Sequence, residues 1–255
     1  MANNSLGEWR CLSASTIGTS HVSQKLPCQD AHGIILTSSG SLIVAVADGA
    51  GSAKRAEEGS RCVVQCTTKY LEEQLLESHP QNAAECEELI LTAFARARSE
   101  LETIAPGESI NDVATTLLVA VITDEWLSTV QIGDGAVVCR NLNGELRVLS
   151  QLGDNEYLNE TTFLTSSDYL SHLYRVTVPA SDINGLAMFT DGIELLAISY
   201  ADNSAHGPFF QTMFEFAGNS LSENSELAEF LDSARVCERT DDDKTLVLAV
   251  RHEAR

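Results

Sequence analysis

The chain is poor in positive charge. Against 37 acidic residues it carries 16 lysines and arginines, giving a formal net charge of −21. A nucleic-acid partner needs a basic footprint to displace counterions from phosphate, and an anionic membrane surface attracts polybasic segments. The charge balance disfavours both and leaves a solvated acidic surface. Cysteine is present as an odd, scattered set of seven. Cys11, Cys28, Cys62, Cys66, Cys86, Cys139 and Cys237 include no CxxC pair, so neither a structural zinc site nor a disulfide framework is indicated. No apolar run approaches the roughly 20 residues of a membrane helix. The opening MANNSLGEWR lacks a basic region followed by an apolar one, so no signal peptide is evident. Internal repeats, long linkers and low-complexity tracts are missing too. These absences point to a reduced, cytoplasmic protein without nucleic-acid or membrane partners.

What is present is apolar sequence in short, punctuated runs. With 44% hydrophobic residues in 255, the chain can bury a sizeable core, and 1–255 reads as one domain. Residues 9–17 suggest an edge strand, followed by a polar loop over 18–33 that holds His21, Lys25, Gln29, Asp30 and His32. Strands are expected at 33–36 and 42–47, and Ser52 stands where a helix N-cap would. Helical spacing runs from 53 to 78 (Val63, Cys66, Tyr70, Leu71, Leu75) and again from 82 to 104 (Leu89, Ala93, Phe94, Ala97, Leu101, Ile104). Pro80 and Pro106 punctuate this antiparallel pair.

Strands follow at 113–122, 126–132, 136–140 and 146–149, with Asp134-Gly135 and Asn143-Gly144 as hairpin signals. Residues 151–172 read as a polar excursion or flap. Strands resume at 174–178 and 186–190, helices are expected at 191–199, 208–217 and 223–236, and 245–250 closes the chain as a strand. Strands in runs with helices inserted in pairs indicate α+β. Two mainly antiparallel sheets packed face to face and flanked by helix pairs, a four-layer α-β-β-α sandwich, would use all the amphipathic material.

Four aspartates sit at the ends of apolar strands: Asp48 in VAVADGAGS, Asp134 in VQIGDGAVV, Asp191 in LAMFTDGIE and Asp242 before TLVLAV. Asp-Gly is also a common tight-turn dipeptide, and VQIGDGAVV, strand on both sides, is the most hairpin-like. Asp48 and Asp191 instead lead from strand to helix, where a hairpin does not fit. Asp242 lies in a triple-Asp run whose repulsion calls for a counter-ion. If these strand ends meet at one edge of a sandwich, an all-oxygen cluster suits Mg²⁺ or Mn²⁺. Two such ions can orient and activate a water for in-line attack on phosphorus.

In order and spacing, CQDAHG (28–33), VAVADGAGS (44–52), ATTLLVAVI (114–122), VQIGDGAVV (130–138), AMFTDGIE (187–194) and DDDKTLVLAV (241–250) resemble the metal-dependent protein serine/threonine phosphatases of type 2C, especially their compact bacterial members. The resemblance runs nearly end to end. It implies the four-layer sandwich and hydrolysis of phosphoserine or phosphothreonine in proteins by a metal-bridging water. Asp48 matches the residue that bridges two ions, and the Gly49 carbonyl completes one shell. Asp191 and Asp242 match ligands of the other ion, with Asp241 and Asp243 as substitutes for Asp242. Asp134 matches a residue that joins the Asp191 counterpart at a third, weaker metal site.

Three positions depart from the family pattern. Gln29 replaces a common Glu, and Asp30 beside it is a candidate to supply the missing charge through a water. Lys25 stands where many relatives carry an Arg that grips the substrate phosphate, without that fork's bidentate geometry. His21 is a candidate to share the task, against the plainer reading of a solvated loop histidine. Ala50 replaces a histidine proposed as general acid in some relatives. These departures keep open a catalytically weak or inactive regulatory module that binds phosphoproteins; a cation-binding protein without hydrolytic chemistry is a third reading. A cognate kinase and a monomeric state are the remaining expectations.

Overall fold

The computed structural model describes residues 8–107, 109–152, 161–199 and 201–251. Strand β1 (Trp9–Thr16) leads through a short helix, α1 (Thr19–Gln24), into β2 (Asp30–Leu36) and β3 (Leu42–Asp48). Two long helices follow, α2 (Ala56–Glu77) and α3 (Ala83–Ile104). Then come β4 (Leu117–Ile122), β5 (Trp126–Ile132), β6 (Ala136–Asn141), β7 (Leu146–Val148), β8 (Tyr174–Pro179) and β9 (Ile183–Phe189). A single turn, α4 (Glu194–Ala197), precedes the small ladder of β10 (Ile198–Ser199) and β11 (Ser204–Ala205). Helices α5 (Gly207–Gly218), α6 (Asn224–Leu231) and α7 (Ala234–Cys237) lead to the last strand, β12 (Lys244–Arg251).

Two five-stranded sheets form, ordered β1-β12-β9-β6-β7 and β2-β3-β4-β5-β8, and their pairings are antiparallel. The apolar runs are continuous rather than alternating because the central strands are buried on both faces. In β3, Ile43, Ala45 and Ala47 face α2 and α3 together with Phe94, Leu71 and Ile90. Leu42, Val44 and Val46 face the other sheet, meeting Met188, Val247 and Ala249. On the far side, Leu246 and Leu248 of β12 pack with Phe210 and Phe214 of α5 and Leu227 of α6. Helix, sheet, sheet and helix are thus the four expected layers, with a core between each adjacent pair.

Several local expectations change. The polar stretch 18–33 contains α1, and β2 begins at Asp30 because Asp30 pairs with Asp48 in the ladder. Ser52 is not an N-cap: α2 starts at Ala56, and Arg55 before it donates to the Ile104 carbonyl at the end of α3 (3.0 Å), tying the helix pair together. The strand expected from 113 begins only at Leu117, and Val113 closes a 3₁₀ turn over Ile110–Val113. Residues 191–199 hold only short turns before β10, and 223–236 breaks into α6 and α7. Asn143-Gly144 does join a hairpin, β6 to β7.

Asp134-Gly135 does not. It carries the chain from β5 in one sheet to β6 in the other. Gly135 has φ +89°, and a Cβ there would meet the Phe189 carbonyl oxygen at 2.5 Å, so glycine lets the crossing turn hug the end of β9. Of the excursion at 151–172, residues 153–160 lie outside the described residues. Residues 161–172 are pinned: Leu164 is buried, and the Arg98 guanidinium donates to the Leu164 and Ser166 carbonyls while lying over the Tyr169 ring at 4.9 Å.

Gly192 is the tightest backbone approach of this architecture, since a Cβ would fall 1.9 Å from the Asp243 carbonyl oxygen. Gly192→Ala is expected to cost about 2–4 kcal/mol in urea unfolding. Gly218→Ala, where a Cβ meets nothing within 4 Å, should instead stabilise by up to about 1 kcal/mol.

Candidate metal centre

The strand ends bearing the acidic turns lie at one end of the sandwich. Antiparallel register sets Asp48, ending β3, directly opposite Asp30, starting β2, an unfavourable juxtaposition of like charges. The backbone of Asp48 is held firmly. Its N–H donates to Thr116 Oγ1 (2.9 Å), while its carbonyl accepts from the Thr116 N–H (2.8 Å) and the Thr115 hydroxyl (2.9 Å). This Thr pair carried no role in the sequence reading; its position just before a buried strand was the available signal. Asp191 follows β9, Asp242 precedes β12, and Asp134 sits on the crossing between sheets. The Thr161 hydroxyl donates to Asp134 Oδ2 (2.7 Å), and the Thr190 hydroxyl to Asp30 Oδ2 (2.7 Å).

Asp48, Asp134, Asp191 and Asp242 line a cleft of about 290 Å³ with Gln29, Gly49, Ala50 and His21. One carboxylate oxygen from each of Asp48, Asp134 and Asp191 lies within 4.8 Å of the others. Among the described residues no lysine or arginine lines the cleft. Burial, then the neighbouring carboxylates of Asp30, Asp191, Asp242 and Asp134, push Asp48 well above the ordinary carboxylate range. Burial and the Asp134 and Asp242 charges raise Asp191 to about 8, and burial raises Asp30 to about 7 despite hydrogen bonds from Thr190 and Thr245. Burial raises Asp242 as well. Gln29 Oε1, Asp30 Oδ1 and Asp191 Oδ1 are buried acceptor atoms without a partner among the described residues. Such atoms are costly unless a positive or donor group meets them. An all-oxygen set of this charge fits a hard divalent cation.

Most of the sequence-predicted residues are therefore brought together. Asp30 is buried behind Asp48 rather than lining the cleft. Lys25 is not brought in: it is exposed, caps α1 in the left-handed conformation (φ 60°), and is absent from the cleft wall. Within the triple run, Asp242 lines the cleft, Asp241 is exposed and Asp243 is buried. A larger groove of about 670 Å³ runs along α2 and α3, but its Glu58, Glu73 and Glu100 are interleaved with Arg61, Lys69 and Arg96, so it holds no uncompensated charge. Burial pushes the Cys11, Cys62, Cys86 and Cys139 thiols up to about 11, which leaves them inert as nucleophiles.

Raised carboxylate pKa values make the metal-free fold less stable at high pH. The folded state favours the protonated acids, so the penalty is absent below the unfolded value near 4 and complete above about 8. With chelator, Tm should be higher at pH 6 than at pH 8, and Mg²⁺ or Mn²⁺ should abolish that difference. At pH 8 Asp48→Asn should raise the metal-free Tm by a few degrees, about 1 kcal/mol, while weakening metal binding by calorimetry. A Tm lowered by this substitution would contradict the electrostatic account.

Comparison with known proteins agrees with this geometry. The sequence profile of protein phosphatase 2C matches residues 17–232. Serine/threonine-protein phosphatase 3 of Escherichia coli (strain K12) is 36% identical over 252 residues, covering 95% of this chain and 98% of that one. The fold matches Staphylococcus aureus serine/threonine phosphatase Stp1 with a TM-score of 0.67 at 13% identity, covering 99% of each chain. It also matches the catalytic domain of the phosphatase PstP, solved with two manganese ions, with a TM-score of 0.61 at 17% identity, covering 95% of this chain and 97% of that one. With the profile spanning most of its length, this chain belongs to the protein phosphatase 2C family.

Proposed function

We propose that this protein hydrolyses phosphoserine and phosphothreonine in other proteins, dependent on Mg²⁺ or Mn²⁺. The observation that carries the reading is the convergence of Asp48, Asp134, Asp191 and Asp242 on one cleft that offers no lysine or arginine among its described lining residues. Asp48 and the Gly49 carbonyl, with Asp191 and Asp242, would hold two ions. Asp134 with Asp191 would hold a third more weakly, and Gln29 and Asp30 would act through water. Ions bound there supply Lewis-acid chemistry: they neutralise phosphoryl charge and make a water nucleophilic at neutral pH.

The chain's own groups supply position. Thr115 and Thr116 hold the Asp48 backbone, Thr161 orients Asp134, and Thr190 orients Asp30. No cysteine is among the described residues lining the cleft, which supports attack by water rather than by a thiolate. Ala50 offers no proton to the leaving oxygen, so that proton comes from solvent or another group in the cleft. A cytoplasmic, monomeric enzyme that reverses a cognate kinase fits the acidic composition. No helix among the described residues is long and apolar enough to cross a membrane.

A second reading, a regulatory module that binds phosphoproteins without turnover, draws on one observation: Lys25, the expected phosphate grip, is exposed and outside the cleft wall. Hydrolysis of a phosphothreonine peptide with Mn²⁺, with Mg²⁺ and with chelator separates the two. Turnover should require metal and fall at least about a hundredfold in Asp48→Asn, whose circular dichroism stays native. Peptide binding without turnover, metal being bound, would favour the regulatory module.

A further inference from the structure

The acidic triplet before β12 contains a carboxylate that the metal reading leaves unused. Asp243 is 1% exposed, and both of its oxygens are engaged. Oδ1 accepts from the Gly18 N–H at 2.6 Å, and Oδ2 accepts from the Gln29 N–H. The same Oδ2 lies 2.9 Å from His21 Nδ1. One buried carboxylate therefore gathers both ends of the segment carrying α1 and faces the imidazole between them. With its oxygens spent inward, Asp243 is unavailable as the substitute ligand considered from sequence, and Asp242 is the member of the triplet that lines the cleft.

His21 occupies a singular place in that cleft. Its side chain is 12% exposed, and among the described lining residues it is the one with a basic side chain; the others offer carboxylates, an amide, hydroxyls, apolar groups or backbone. A phosphoryl group entering among aspartates needs donors on the side the metal ions do not cover. Lys25 is not in the wall to provide them. His21 Nδ1 lies at ion-pair distance from Asp243 without an aligned hydrogen bond in this structure, which leaves Nε2 as the ring nitrogen to meet a group in the cleft. A carboxylate that fixes one edge of an imidazole so that the other can act is a recurrent arrangement.

We propose that Asp243 is a positioning residue that holds His21 so that its Nε2 contacts the phosphoryl group of the substrate. The proposal rests on the phosphatase reading and deepens it: His21 touches substrate, and Asp243 acts through His21. A ring N–H that meets an anionic oxygen forms a charge-assisted hydrogen bond, worth more than a neutral one, and the nearby Asp243 carboxylate would keep the ring oriented for it.

The test is a double-mutant cycle on kcat/KM for a phosphothreonine peptide at saturating Mn²⁺, using His21→Ala, Asp243→Asn and the double variant. Each single substitution should lower kcat/KM about 10- to 100-fold, and the double variant should be no more than about twofold below His21→Ala. Multiplicative losses would overturn the proposal, because Asp243 would then act through the Gly18 and Gln29 backbone. So would a His21→Ala variant within twofold of wild type.

A second readout needs no turnover. Inorganic phosphate added to the Mg²⁺-loaded protein should shift the His21 ring ¹⁵N resonances in wild type and not in Asp243→Asn; an unmoved wild-type ring overturns the contact. Absence of metal-dependent turnover in wild type would defeat the phosphatase reading, while the ring measurement still decides the His21–Asp243 pair. Should Asp243→Asn not fold, His21→Gln replaces it: an amide reaching the Nε2 position without the Asp243 anchor should recover no more than His21→Ala. Recovery to within threefold of wild type would overturn the anchor.

Discussion

Mutual repulsion among buried carboxylates is the constraint on which this molecule turns. Asp30 and Asp48 face each other across the β2–β3 ladder, and Asp134, Asp191 and Asp242 close in from three other strand ends. Among the described residues lining the cleft, His21 is the one with a basic side chain. Burial first, and then the neighbouring charges, raise the carboxylate pKa values, and buried acceptor atoms stand without partners among the described residues. Such a cluster persists only because the surrounding fold is rigid enough to hold it, and divalent cations bound there would make it favourable.

That rigidity comes from burial on both faces of the central strands. β3, β4, β9 and β12 each send alternate side chains into a helix-covered core and into the core between the sheets. A strand clamped on both faces has one register available, since a one-residue slip would exchange the two cores. The strand ends, and the aspartates on them, inherit that precision. Hydroxyl groups then refine the arrangement, with Thr115 and Thr116 on the Asp48 backbone, Thr190 on Asp30 and Thr161 on Asp134. The site is made by strand termini and short polar contacts, with helices serving as cover.

Much of this was legible in the chain. The continuous apolar runs marked the buried strands, the helical spacing of 53–78 and 82–104 marked the covering pair, and the acidic turns marked the site. The failures have physical causes. Asp134-Gly135 has the local chemistry of a hairpin, and only the partners of β5 and β6 reveal that the chain changes sheets there. Helix α1 has no buried residue to generate a period. Lys25 was matched to a phosphate grip through the family resemblance; in the structure it caps α1 and is not among the residues of the cleft wall. Three adjacent aspartates looked alike in sequence; burial and hydrogen bonds separated Asp243, drawn inward, from Asp242, facing the cleft.

The sequence by itself determined the class of fold, the α-β-β-α layering and the residue types of the metal centre, because periodicity and the cost of burying charge are local properties that composition and order express directly. It also carried the family, through the order of its motifs. The tertiary structure decided which carboxylates converge, that Asp134 reaches the cleft by a crossing between sheets, that Lys25 stands outside it, and that Asp243 faces His21. Those outcomes depend on contacts between residues distant in the chain, more than 200 positions apart for Asp243 with Gly18 and Gln29, and no local pattern encodes them.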